Sequence, residues 1–116
     1  MIITLLGEPK STQHVYKMTC RGRFASMYMS KEGKMIKESY KHQSTLQWSN
    51  KPLTGDVSVT IILYFGTKRK ADIDNFNKLL LDSLTGICWG DDSQITDMKV
   101  CKRYDKLNPR IEIDIV

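Results

Sequence analysis

The chain has 116 residues, and its 18 Lys and Arg against 13 Asp and Glu leave a net charge of +5 and a sequence pI near 9.2. That length supports one hydrophobic core and not two, so a single domain over residues 1–116 is expected, and the positive field favours a polyanionic partner held in a salt-dependent way. No apolar run approaches the roughly 20 residues of a membrane-spanning helix, and the start Met-Ile-Ile-Thr-Leu-Leu-Gly lacks the basic region of a signal peptide, which makes a cytoplasmic location the expectation.

Residues 2–6, Ile-Ile-Thr-Leu-Leu, are β-prone and stopped by the turn chemistry of Gly7-Glu8-Pro9. Between Lys10 and Met29, basic residues interleave with Tyr16, Met18, Phe24, Met27 and Tyr28, a pattern equally compatible with a short strand pair and with a basic loop. Ser30 is placed to cap a first helix that runs to about Trp48. Asn50 to Gly55 reads as a loop, and Val57–Phe65, rich in β-branched and aromatic residues, reads as a central strand.

A basic connection, Gly66 to Ala71, leads to a second helix expected to start near Asp74, which can cap it. Phe76, Leu79, Leu80, Ser83, Leu84 and Ile87 recur at three and four, which marks a core face, while Asp74, Lys78 and Asp82 form another stripe. Gly86 offers a stop, and Trp89 to Ser93 is a turn. Gln94 to Tyr104 and Arg110 to Val116 resemble two strands joined by a turn near Asn108-Pro109. Ile111, Ile113 and Ile115 alternate with Glu112 and Asp114, as in a half-buried strand. This order predicts an α+β fold: one two-layer domain, a mixed β-sheet with two helices packed on it.

The three cysteines, Cys20, Cys88 and Cys101, are odd in number and lack C-x-x-C spacing. With only His14 and His42 beside them they suit neither a disulfide framework nor a four-ligand zinc site, and are read as apolar thiols.

The carboxylates carry the chemistry. Asp72 and Asp74 alternate as at a strand end, and Asp74 and Lys78 lie four apart at a helix start, which puts two acids and an ammonium on one side of a strand-to-helix junction. Acids converging in a basic chain repel one another unless a cation compensates. Mg²⁺ takes one or two carboxylates plus phosphate oxygens, a demand that Asp72, Asp74 and one of Asp91 or Asp92 suit. Lys78 is then placed to stabilise a developing oxyanion or a leaving oxygen. Taken one by one, the same residues also read as an N-cap, a helix-surface ion ladder and a turn, with Asp97, Asp105 and Asp114 as solvated charges. Lys68, Arg69 and Lys70, with Arg21 and Arg23, are candidate phosphate contacts. Tyr16, Phe24, Tyr28 and Trp89 can stack on unpaired bases, whereas Phe65 and Phe76 are expected in the core.

The series Arg69-x-x-Asp72-x-Asp74-Asn75-x-x-Lys78-x-x-x-Asp82-x-Leu84, Thr85-Gly86-Ile87 and Asp91-Asp92-Ser93-Gln94-Ile95 resembles the RusA-type Holliday junction resolvases. It spans about residues 68–104, with weaker echoes at Gly7-x-Pro9 and Ser30-x-Glu32-Gly33. The resemblance implies a homodimeric, Mg²⁺-dependent endodeoxyribonuclease, with Mn²⁺ as a substitute ion, that nicks two strands of a four-way DNA junction symmetrically. It also implies a role in DNA recombination and repair, and such proteins are common in phages and prophages. Position by position, it implies Asp72, Asp74 and Asp92 as catalytic metal ligands and Lys78 as the catalytic lysine, with Asp91 as an accessory acid. A basic DNA-binding module without catalysis and a nuclease for other branched DNA are the alternatives.

Overall fold

The computed structural model describes residues 1–11, 16–21, 24–68 and 73–116, with the backbone alone described for 16–21, 24–28, 74 and 75. Among these residues, β1 (Ile2–Leu6), β4 (Val57–Phe65), β5 (Ile95–Tyr104) and β6 (Arg110–Ile115) form a mixed sheet in the order β1-β6-β4-β5. β2 (Tyr16–Arg21) and β3 (Phe24–Met29) form a separate antiparallel pair, so of the two readings open for the N-terminal basic stretch the strand pair is the one adopted. The helices are α1 (Lys31–Gln47) and α2 (Asn77–Leu84), and the α+β expectation holds.

Period-two alternation explains the sheet. Val57, Val59, Ile61, Leu63 and Phe65 of β4 are all buried, and Ile3 of β1, Ile113 of β6, Ile61 of β4 and Val100 of β5 lie in one row across the four strands. On this face Tyr40 of α1 and Leu79, Leu80 and Leu84 of α2 join the strands in one apolar cluster. Removing such side chains from water is the main favourable contribution to folding, at about 1.5–3 kcal/mol for each large one. Phe65 and Phe76 meet edge to face with centroids 5.3 Å apart, as expected of core aromatics.

α1 begins where the sequence places it. Ser30 Oγ accepts a hydrogen bond from Gly33 N at 3.0 Å, and Ser44 Oγ donates to Tyr40 O at 2.7 Å, so a hydroxyl packs on the buried face without an unmet donor. The helix also covers a sheet edge. Gln47 Oε1 accepts from Thr4 N at 2.8 Å, its Nε2 donates to Thr4 O at 2.7 Å, and Gln43 Oε1 accepts from Leu6 N at 2.8 Å. Two glutamines thus take the place of a neighbouring strand along β1, a device that blocks edge-to-edge pairing.

Two expectations are corrected. β5 and β6 exist but are not a hairpin: β5 runs parallel to β4 on one side and β6 antiparallel to it on the other, so the connection between them crosses the end of β4. Turn chemistry near Asn108-Pro109 specifies a reversal and not its partner. The crossing is held by Arg110, whose guanidinium lies 3.8 Å from the Tyr64 ring centroid and donates to Asp105 Oδ2 at 2.8 Å and to Glu112 Oε1 at 3.0 Å. Asp105 is therefore a structural ion-pair partner and not a solvated charge. Asp97 and Asp114 also have partners, in Ser58 and Thr96 and in the N-terminal ammonium respectively. In addition, Asp74 does not cap α2: it sits within a 3₁₀ turn, Ile73–Phe76, and the N-cap position belongs to Phe76, which makes no capping bond.

Candidate active site

The apolar stripe of α2 fixes what its other side presents. With Leu79, Leu80, Ser83 and Leu84 buried, Lys78 and Asp82 are left on the accessible side, and Lys78 Nζ lies 3.6 Å from Asp82 Oδ2. Both side chains are partly solvated, so the pair directs the ammonium more than it stabilises the fold.

Past α2 the chain reverses tightly. Gly86 adopts φ +90°, a left-handed conformation glycine tolerates without cost, and its N–H donates to Trp89 O at 2.6 Å. Trp89 is wholly buried, with its indole N–H donating to Thr85 Oγ1 at 3.1 Å. It anchors the turn from within the core, which corrects the expectation that it can stack on a base.

That anchor presents Asp91 and Asp92. Asp91 caps a 3₁₀ turn, Asp92–Gln94, and its Oδ1 accepts from Ser93 N at 3.1 Å. The two carboxyls ionise differently although both are exposed. The Ser93 backbone N–H, followed by the hydrogen bond with Asp92, holds Asp91 below the usual carboxylate range. The bond from Asp91 pushes Asp92 up, the negative charges of Asp91 and Asp82 add to this, and Lys78 opposes it. Four groups from two elements, Lys78, Asp82, Asp91 and Asp92, therefore share one electrostatic neighbourhood. In it, Asp92 retains its proton more readily than an isolated carboxyl.

Such a setting suits a hard cation. The donors are carboxylate oxygens, as Mg²⁺ and Mn²⁺ accept, and a divalent ion offsets the negative charges that gather around Asp92. Among the described residues no group of three or more His, Cys, Asp or Glu comes together with metal-binding geometry. Asp72, Arg69, Lys70 and Arg23 lie outside the described residues, as do the side chains of Asp74 and Arg21. Lys68 is exposed, with its Nζ 5.7 Å from the Tyr104 ring centroid.

Three contributors escaped the sequence reading. Asp82, read as part of a surface ladder, acts on Asp92, and its i,i+4 relation to Lys78 was the available signal. Gln94 Oε1 accepts from both Gly90 N and Asp91 N at 2.9 Å and completes a capping box, a role that its place three residues after Asp91 makes legible in retrospect. Glu8, in the Gly7-x-Pro9 echo, accepts from Gly66 N at 2.9 Å, at the start of the connection that leads to Asp72. A pairing 58 residues apart in sequence leaves no local signal.

The profile of the family Endodeoxyribonuclease RusA matches residues 7–116. A Bacillus subtilis (strain 168) relative, Uncharacterized protein YqaN, is 44% identical over 46 residues, which are 40% of this chain. That match spans only about a third, 32%, of the relative's length.

Proposed function

Because the chain belongs to the endodeoxyribonuclease RusA family, we propose that it is a divalent-metal-dependent nuclease that resolves four-way DNA junctions by paired symmetric nicks in recombination and repair. A two-fold substrate cut twice suits a homodimer with one site per subunit. One observation supports this reading above the others: a capped turn presents the exposed acids Asp91 and Asp92, and the accessible side of α2 presents Lys78 paired with Asp82 at 3.6 Å, all within the residues that match the family.

Asp72, Asp74 and Asp92 would hold Mg²⁺, or Mn²⁺ in its place. Bound there, the ion would supply an activated water and neutralise charge on the scissile phosphodiester. Asp92, presented by the capped turn, would contribute a carboxylate oxygen to the ion. Lys78, directed by Asp82, offers its ammonium to the phosphate or leaving oxygen, where charge develops in the transition state. Lys68, Arg69 and Lys70, with Arg21 and Arg23, grip phosphates, so affinity falls with salt while cleavage position is set at the acids.

Labelled four-way junction incubated with the protein should be nicked in Mg²⁺ and left intact in EDTA. Asp72→Asn, Asp74→Asn and Asp92→Asn should each retain junction binding and lose cleavage by about 10²-fold or more, the scale of losing one preorganised electrostatic group. Cleavage at the parental rate by any of the three would refute its assignment. Binding without nicks in either condition would support a non-catalytic DNA-binding module instead. Preferential cutting of flaps or Y-forms would support a nuclease for other branched DNA.

A further inference from the structure

The Asp91-Asp92 turn is tied to the rest of the fold by one side chain. Gln94 Oε1 accepts from Gly90 N and Asp91 N, and its Nε2 donates to Leu53 O and Gly55 O, all four at 2.9 Å. Both amide hydrogens and both acceptor directions are used, and the opposite amide orientation would set oxygen against two carbonyls and NH₂ against two N–H groups. Residues 53–55 are themselves fixed, since Leu53 N donates to Cys88 O at 2.8 Å and β4 begins at Val57. Gln94 therefore joins the acid-bearing turn to the segment leading into the central strand.

We propose that Gln94 is a positioning residue: by holding the backbone N–H groups of Gly90 and Asp91 it fixes the turn from which the adjoining Asp92 carboxylate is presented. The inference rests on the reading of Asp92 as a metal ligand. Three of the four bonds are exposed, so water can replace them, and Gln94 lies outside the apolar cluster, so the fold itself should survive its loss at some cost in stability. What Gln94 supplies is precision, which a ligand to a divalent ion requires and a surface turn does not.

Two perturbations approach the contact from opposite sides. Gln94→Met keeps the side-chain length and removes all four bonds. Gly90→Ala places a Cβ 3.2 Å from Gln94 Oε1 and displaces it by a few tenths of an ångström. Amide hydrogen exchange at Gly90 and Asp91 should be slow in the parent and fast in Gln94→Met. Titration with Mn²⁺, read by the electron paramagnetic resonance of the free ion, should show half-saturation rising about tenfold in Gln94→Met and less in Gly90→Ala. Circular dichroism should stay close to the parent's in both, and the titrations are run well below each variant's thermal midpoint, which the lost bonds lower in Gln94→Met. Parental Mn²⁺ affinity in Gln94→Met, or unchanged exchange at Gly90 and Asp91, would overturn the assignment while leaving the nuclease reading intact. A parent protein that takes up no Mn²⁺ would overturn both.

Discussion

Gly66 ends β4 and opens the connection to the acids, and replacing it with Ala tests whether that junction is as tightly specified as its contacts indicate. A Cβ there would lie 3.0 Å from Pro109 Cγ and 3.1 Å from Glu8 Oε2, while Gly66 N donates to the same Glu8 oxygen at 2.9 Å. Its φ is not in the left-handed region, so the whole cost is steric. Both neighbours are constrained: Pro109 is a ring whose own carbonyl accepts from Gly7 N at 3.1 Å, and Glu8 is held by the bond it would have to break. Overpacking costs roughly 1–3 kcal/mol and a hydrogen bond to a charged group about 1.5–3 kcal/mol. Because the two share one displacement, about 2–4 kcal/mol in total is expected. An unfolding entropy of about 2.1 cal/mol/K per residue over 116 residues makes 1 kcal/mol worth roughly 4 °C. Gly66→Ala should therefore lower Tm by about 8–16 °C in a calorimetric scan. In a Glu8→Ala background the second substitution should cost measurably less, since one of the two colliding groups is gone. A Tm within about 2 °C of the parent, or full additivity with Glu8→Ala, would refute this account of the junction.

Gln47→Ala removes two bonds to Thr4 at the β1 edge. A loss of about 1–3 kcal/mol is expected in urea unfolding, with increased self-association by light scattering as the edge opens. Arg110 holds Asp105 ionised below the usual carboxylate range. A carboxylate depressed in this way contributes stability above its unfolded pKa, near 4, and loses it as pH falls through the folded value. Asp105→Asn should accordingly flatten the acid side of a stability-against-pH curve. Burial pushes the Cys88 thiol from 9.0 up to about 12. Its contribution should be intact below pH 9 and fade as pH rises toward 12, so Cys88→Ala should be less sensitive to alkali than the parent in thermal scans, even if it is less stable at neutrality.

The elements were legible because their signals are local. Alternation along Val57–Phe65, the Ser30 cap of α1 and the three-and-four spacing of Leu79, Leu80, Ser83 and Leu84 each lie within a few turns of chain, and each appears where expected. The acid pair, Lys78 and the family pattern could likewise be read from residue type and spacing. Asp74 is not the helix cap its spacing suggests, because a 3₁₀ turn, Ile73–Phe76, precedes α2 and the helix starts three residues later, at Asn77.

Residue order alone thus determined which segments form strands and helices and which side chains carry charge, since those depend on near neighbours and on the polarity of each position. Only the folded chain decided that β4 lies between β5 and β6, that the charge of Asp82 bears on Asp92, and that Gln94 ties the Asp91-Asp92 turn to Leu53 and Gly55 while Glu8 holds Gly66. These depend on hydrogen bonds and Coulomb forces between groups up to 58 residues apart. Such interactions are created by packing the sheet against its helices and leave little trace in local sequence.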